Sequence, residues 1–107
     1  MARQRGEAIM GEILAARPCL ARGVRLRGDP VTKEAALLYP EGVLLLNGTA
    51  AAVVELCDGN RTLDEIVAAL AGRYAGDADT LRSDVADYLR DLRRRGLVTM
   101  SDDGGMP

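Results

Sequence analysis

The sequence contains no histidine, tryptophan or phenylalanine among its 107 residues. Without histidine, the commonest general base and the commonest imidazole metal ligand are missing. The two cysteines, Cys19 and Cys57, are far apart in the chain, and two lone thiols do not make a zinc site. Neither a Walker loop nor a GxGxxG motif is present to cradle phosphates. We therefore expect no metal and no cofactor, and the only catalysis left open is catalysis by carboxylates.

The scarcity of aromatic residues and the small net charge restrict the possible partners. Three tyrosines are too few to form a platform that stacks single-stranded bases. A net charge of −2 provides no basic field that would attract nucleic acid or an anionic membrane. The apolar runs are too short to span a bilayer, and the interrupted N-terminal region makes a poor signal peptide. We therefore expect a cytoplasmic protein that binds neither nucleic acid nor membranes.

Length and composition predict one domain with a packed core, because 48% of the residues are hydrophobic. We expect a flexible tail or linker at residues 1–17, the folded domain at 18–100 and a disordered tail at 101–107. In the cytosol Cys19 and Cys57 are expected to be reduced thiols, with Cys57 buried in a helix. A disulfide between them is also compatible with the sequence.

Three short apolar segments predict strands in the first half of the domain. In the first, Val24 and Leu26 alternate with Arg25 and Arg27, which indicates a half-buried strand. The predicted strands are residues 18–27, 34–39 and 43–46, joined by turns at 28–30 and 40–42. Their tight spacing predicts an antiparallel meander, and so small a sheet needs a helix to cover its apolar face.

The apolar residues then change to a helical spacing, which predicts three helices. The first covers residues 49–57; the second begins at a Thr62–Glu65 capping box and ends at Gly76, with Tyr74 on its inner face. Asp77, Asp79 or Thr80 caps the third, which ends at Gly96, and residues 97–100 predict a short final strand. The fold class is therefore α+β and winged-helix-like, with a three-stranded antiparallel meander followed by a three-helix bundle (βββααα).

The third predicted strand is the main candidate for a binding site. All of its residues are apolar, whereas alternation in a sheet would bury only two of the four. If this strand is the last in its sheet, its free edge can accept an extended peptide by strand addition. The candidate peptide-binding residues are Val43, Leu44, Leu45 and Leu46, with Leu81, Val85, Tyr88 and Leu89 of the third helix as the opposite wall. For Leu81, Val85 and Leu92, the same helical spacing is at least as compatible with filling the core as with direct contact with a peptide.

Two other functions are compatible with parts of the sequence. A winged-helix DNA-binding regulator would place the third helix on DNA, but four aspartates (Asp77, Asp79, Asp84 and Asp87) against Arg82 would repel phosphate. The positive charge of the third helix lies at its C-terminal end, where it complements the helix dipole. A carboxylate-based enzyme would need an acid pair, yet Asp64 and Glu65 belong to the capping box and residues 102–103 to the tail.

Five motifs together resemble the PqqD family, the pyrroloquinoline quinone (PQQ) biosynthesis protein D. They are P-x-L-x-R-G-V-R-L-R from residue 18, L-L-Y-P-E-G from 37, L-N-x-x-A from 46, L-x-D-G-x-R-T-x-x-E-I from 56 and D-V-x-x-Y-L-x-x-L from 84. The resemblance covers residues 18–99. It implies a small non-catalytic chaperone, of the type called RiPP recognition elements, which binds the ribosomally made precursor peptide PqqA. It also implies presentation of PqqA to PqqE, a radical S-adenosylmethionine enzyme.

The resemblance further implies where the peptide binds. In similar domains the leader peptide adds as a strand beside the third strand and packs against the third helix. Carried over by matching positions, that site comprises residues 43–46 together with Leu81, Asp84, Val85, Tyr88 and Leu89. Asp84 enters the candidate site through the resemblance alone. Some members of the family are fused to the oxidase PqqC, for which residues 1–17 would suit a linker.

Overall fold

The computed structural model describes residues 13–74 and 76–101. The strands are β1 (Arg17–Leu20), β2 (Arg25–Gly28), β3 (Ala35–Tyr39), β4 (Gly42–Leu46) and β5 (Val98–Ser101), and the helices are α1 (Gly48–Glu55), α2 (Leu63–Ala71) and α3 (Ala78–Arg94). Strands β2, β3 and β4 form an antiparallel meander that precedes the three helices. The predicted α+β class and the order of meander and helices are therefore confirmed.

The first predicted strand is corrected, because residues 18–27 divide between two sheets. Strand β2 belongs to the meander, whereas β1 pairs antiparallel with β5 at the other end of the chain. The chain turns between them at Gly23, whose φ of +82° lies in the left-handed region that favours glycine. The final strand was predicted, but its partner was not. The pair of β1 and β5 forms a second, two-stranded sheet.

The meander has one face toward the core and one toward solvent. On the inner face, Leu26, Leu37 and Leu44 lie in one row across the three strands. Leu37 is fully buried, and Leu26 and Leu44 pack against the core. The alternation of side chains along each strand therefore turns the neighbouring residues outward. Helix α1 packs on β3 and β4 and covers the inner face.

Local sequence signals set the starts of the helices. The Asn47 side chain caps α1 by accepting a hydrogen bond from the Ala50 amide at 2.8 Å. The predicted capping box of α2 is present, because Thr62 Oγ1 accepts from the Glu65 amide while Glu65 Oε1 accepts from the Thr62 amide. Of the three residues proposed to cap α3, Asp77 does so.

The end of α2 differs from its prediction. The helix stops at Ala71 rather than continuing to Gly76, because its apolar stripe ends at Leu70 and Gly72 forms the C-cap. Tyr74 therefore lies beyond the helix and is 39% exposed, rather than on a buried helical face. This displacement places the tyrosine ring at the mouth of the groove described below.

One hydrophobic core joins both sheets and all three helices. Its most deeply buried large side chains include Leu37, Leu63, Ile66, Leu89, Leu92 and Val98. Ile13 and Ala16 are also buried, so packed structure extends into the segment predicted as a tail, most of which lies outside the described residues. Cys19 and Cys57 are free thiols, and burial raises the pKa of Cys57 to about 12. No helix in the described parts of the chain is long and apolar enough to cross a membrane.

Candidate functional site

The candidate site begins at strand β4, which is the last strand of the meander. In the sheet order β2-β3-β4, this strand pairs with β3 on one side, and no other strand of residues 13–74 and 76–101 pairs with its second side. Its backbone amides and carbonyls on that side are therefore available to an added strand. Val43 and Leu45 are 59% and 78% exposed, whereas Leu46 is buried. As the sequence predicts, the sheet buries only part of this apolar strand.

A groove opens where β4 ends and α1 begins, between α1 and α3. Its volume is about 280 Å³, and Asn47, the residue directly after β4, forms part of its rim. The lining residues are Asn47, Thr49, Ala50, Val53, Tyr74, Asp84, Val85 and Tyr88. The apolar lining residues are Ala50, Val53 and Val85, of which Val53 and Val85 are each only 2% exposed, and the other side chains place polar atoms around them. Such a surface suits apolar side chains of an extended peptide.

The structure separates the predicted residues of α3 into two groups. Asp84, Val85 and Tyr88 line the groove, as the carry-over from the family suggests. Leu81 and Leu89 do not line the groove and are buried in the core, with exposures of 4% and 0%; Val85, at 2%, is buried in the same core and also borders the groove. The helix thus presents one part of its apolar stripe to the core and a neighbouring part to the groove. Leu81 and Leu89 support the groove wall from behind.

Five groove residues were not among the sequence candidates for the site, and the first of them is Asn47, directly after β4. Thr49, Ala50 and Val53 come from the first two turns of α1, whose helical pattern the sequence shows without indicating that one flank is open. Tyr74 lies in the connection after α2. A signal for Tyr74 was present, since an aromatic residue after a glycine at a helix end is poorly placed to join the core.

Asp84 differs from the other acidic residues of α3 in its partners. Asp79, Asp87 and Asp91 each form an ion pair with an arginine of the same helix. Asp84 forms neither an ion pair nor a hydrogen bond with any residue that the structure describes. Its charge at the groove is therefore free to meet a cation or a hydrogen-bond donor. Beside it, burial raises the pKa of the Tyr88 hydroxyl, so this side chain is a neutral donor near pH 7.

The other sequence-based functions receive no support from this arrangement. Asp64 lies 4.0 Å from Arg82 on the surface, and Glu65 is held in the capping box, where hydrogen bonds from Thr62 lower its pKa. Residues 102–103, the second acid pair, lie outside the described residues. Within the described ranges, no cluster of three or more cysteines or acids is placed to hold a metal ion. The aspartates in the N-terminal half of α3 disfavour phosphate contact there.

Four arginines are candidates to attract acidic partners, and the structure divides them by whether they form ion pairs. Arg82 and Arg90 of α3 are engaged in ion pairs with Asp79 and Asp87. Arg25 and Arg27 of β2 form no ion pair with the residues that the structure describes, and both lie on the outer face of the meander. Only this second pair is therefore available to steer carboxylates.

The meander, the open edge of β4 and the adjoining groove define a small domain of the class that binds extended peptides. The chain belongs to the PqqD family: the family model described as "Coenzyme PQQ synthesis protein D (PqqD)" matches residues 34–98. A relative from Azotobacter vinelandii named "PqqA binding protein" is 39% identical over 78% of this chain and 89% of its own length. Another of that name from Rhodopseudomonas palustris is 36% identical over 79% of this chain and 83% of its own length.

Solved structures agree with the family and the fold. The PqqD truncation of Methylobacterium extorquens PqqCD, described as a functional and stand-alone RiPP recognition element, matches with a TM-score of 0.65 and 35% identity. That match covers 77% of this chain and 87% of the other. TbiB1, solved in complex with the TbiA(beta) leader peptide, has the same fold with a TM-score of 0.66 at 24% identity, over 75% of this chain and 93% of the other.

Proposed function

We propose that the protein is a non-catalytic peptide chaperone of PQQ biosynthesis, which binds the precursor peptide PqqA as an added strand on β4. The observation that carries this proposal is the uncovered, largely apolar β4 edge beside the groove between α1 and α3. Relatives that are 39% and 36% identical to this chain over the aligned residues bear the name "PqqA binding protein". Proteins of this kind need no reactive group of their own, which accords with the absence of histidine.

Binding of this type has an identifiable energetic basis. A free precursor peptide is flexible, so ordering it as a strand costs conformational entropy. Backbone hydrogen bonds to β4 and apolar contacts in the groove offset this cost. Affinity then depends on a few side chains, and Asp84 and Tyr88 are the polar groups of α3 that can orient them.

The ordered peptide would then be presented to PqqE, the radical S-adenosylmethionine enzyme of the pathway. Holding the peptide on a protein that also contacts the enzyme raises the local peptide concentration at the enzyme without a catalytic step. Arg25 and Arg27, on the outer face of the meander, would meet an acidic surface of the enzyme or the peptide. PqqC is a further candidate partner, because the matched Methylobacterium extorquens domain is the PqqD part of PqqCD. We propose that this binding and presentation of the peptide take place in the cytoplasm.

The proposal is tested by titrating ¹⁵N-labelled protein with synthetic PqqA and following the amide signals. Saturable shifts are expected at residues 43–46 and at the groove residues of α1 and α3. Amides around the β1–β5 sheet serve as an internal control, because they lie outside the proposed site. If a large excess of peptide leaves the signals of β4 unchanged, both without and with PqqE present, the proposed function is wrong.

A further inference from the structure

The outer face of the meander changes in character from one strand to the next. Two rows cross it: Arg25, Leu38 and Val43 in one, Arg27, Ala36 and Leu45 in the other. The β2 positions are charged, the β3 positions are half-buried apolar residues, and the β4 positions are the most exposed apolar residues of the rows. The exposed apolar surface therefore borders the free edge and is not centred on the face.

This gradient indicates a partner beside β4 rather than one above the sheet. Neighbouring strands lie about 5 Å apart, so a strand added to β4 would continue both rows by one position. Its outward side chains would stand next to Val43 and Leu45 at the usual cross-strand distance of about 5 Å. A partner lying flat on the face would instead meet the two arginines, together with Asp29 and Glu34 at the hairpin end.

We propose that the bound peptide is recognised on both faces of its strand, an inference that rests on the proposed function. Its inward side chains enter the groove beside Val85 and Tyr88. Two outward apolar side chains, at positions i and i+2, cover Val43 and Leu45. The substrate class is accordingly a peptide whose recognition segment carries apolar residues on both faces of the strand, not one that is apolar toward the groove and polar toward solvent.

A second copy of this chain is the main alternative occupant, because an open β4 edge is also able to pair with the same edge of another molecule. In such a dimer each β4 would offer Leu44 and Leu46 on its inner side, but those side chains already pack against or within their own core. The groove between α1 and α3 would then receive nothing from the partner. A peptide has free inward side chains, so it satisfies the edge, the groove and the outward residues together.

The test uses threonine substitutions. At a valine, threonine keeps the β-branched shape and the strand propensity but replaces a methyl group by a hydroxyl group, and at Leu45 it also makes the side chain smaller. Val43→Thr is expected to weaken binding of fluorescent synthetic PqqA about threefold, and Val43→Thr combined with Leu45→Thr about tenfold. Val31→Thr is the matched control, because Val31 is 86% exposed but lies in the β2–β3 turn away from the edge. It should leave the affinity unchanged, and all variants should unfold at the same urea concentration.

A serine scan of the peptide locates the outward pair. Peptide positions whose substitution costs affinity with the wild-type protein, but not with the Val43→Thr/Leu45→Thr protein, contact the outer residues. Two such positions separated by one residue are expected.

Unchanged affinity of the double variant, or no coupled positions, would overturn the inference while leaving strand addition intact. A double variant that only turns a dimer into a monomer in sedimentation would overturn it in favour of self-pairing. Absence of binding by the wild-type protein would instead refute the proposed function.

Discussion

Strands β1 and β4 each lie at the side of a sheet, but the chain covers the second edge of only one of them. Beyond β1, Cys19 forms a bridge with Asp58, and the Gly59 amide donates to the Pro18 carbonyl at 2.9 Å. Beyond β4, the described part of the chain supplies no comparable partner. An uncovered apolar edge promotes aggregation, so its retention at β4 is best explained by a partner that binds there.

Short-range interactions explain why one edge is closed. The Asp58 carboxylate accepts hydrogen bonds from the Asn60 and Arg61 amides and pairs with the Arg61 guanidinium at 2.6 Å, which together lower the pKa of Asp58. Gly59, between Asp58 and Asn60, supplies the left-handed backbone conformation that this turn requires, with a φ of +81°. After β4, by contrast, the Asn47 side chain is used to cap α1. The loop beside β1 is thus held against the sheet, whereas β4 leads straight into a helix.

The strongest test of the open edge is Leu45→Asp. An added strand would bring this carboxylate against apolar side chains without a partner, so we expect PqqA binding to weaken at least about thirtyfold, or about 2 kcal/mol. Because Leu45 is largely exposed in the free protein, urea unfolding should change little. Full affinity in a folded Leu45→Asp protein would remove the outer face of β4 from the binding site.

Tyr88→Ala tests whether the groove beside the open edge contributes to binding. Tyr88 is only half-buried and lines the groove, so its removal should weaken PqqA binding about tenfold and lower the stability by less than about 1 kcal/mol. Isothermal titration and urea unfolding of the same variant give both values. Leu89→Ala is the contrasting variant, since loss of this fully buried side chain should cost about 3 kcal/mol of stability. A Tyr88→Ala protein that loses stability without losing affinity would assign Tyr88 to the core.

At the closed edge, Gly59→Ala should act on stability alone. Alanine disfavours the positive φ, and its Cβ would lie 3.4 Å from the Cys19 sulfur. We expect a loss of about 1 to 2 kcal/mol in the free energy of unfolding and unchanged affinity for PqqA. Weakened binding in a protein whose fold is otherwise native would show that the two edges are coupled.

Features that depend on neighbouring residues could be predicted from the sequence. The Thr62–Glu65 capping box follows from four consecutive positions, and the partial exposure of residues 43–46 follows from four apolar residues in a strand that can bury two. The α+β order follows from the change of hydrophobic period. These signals are local, so no knowledge of the tertiary structure is needed to interpret them.

Features that depend on distant contacts could not be predicted. The partner of β5 is β1, more than 75 residues away, and no local pattern selects between possible pairings of short strands. On α3 the apolar stripe does not distinguish Leu81 and Leu89, which face the core, from Val85 and Tyr88, which also reach the groove. That division is set by how α1 and the connection at Tyr74 pack beside the helix.

The smallest expected effect concerns Glu65, whose capping box starts α2 just after the loop that closes the β1 edge. Its hydrogen bonds from Thr62 lower its pKa below the ordinary value of 4.5. The stabilisation by the ionised carboxylate is therefore fully present above about pH 4.5 and is lost as the pH falls through the lower, folded-state pKa. Urea unfolding of wild type and Glu65→Ala should differ most near neutral pH and converge in acid. Glu65→Gln retains the hydrogen bond without the charge. Its free energy of unfolding should therefore lack the part of the pH dependence that the Glu65 carboxylate causes in the wild type. Wild type and Glu65→Ala differing equally at pH 3 and pH 7 would mean that the charge of Glu65 does not stabilise the start of α2.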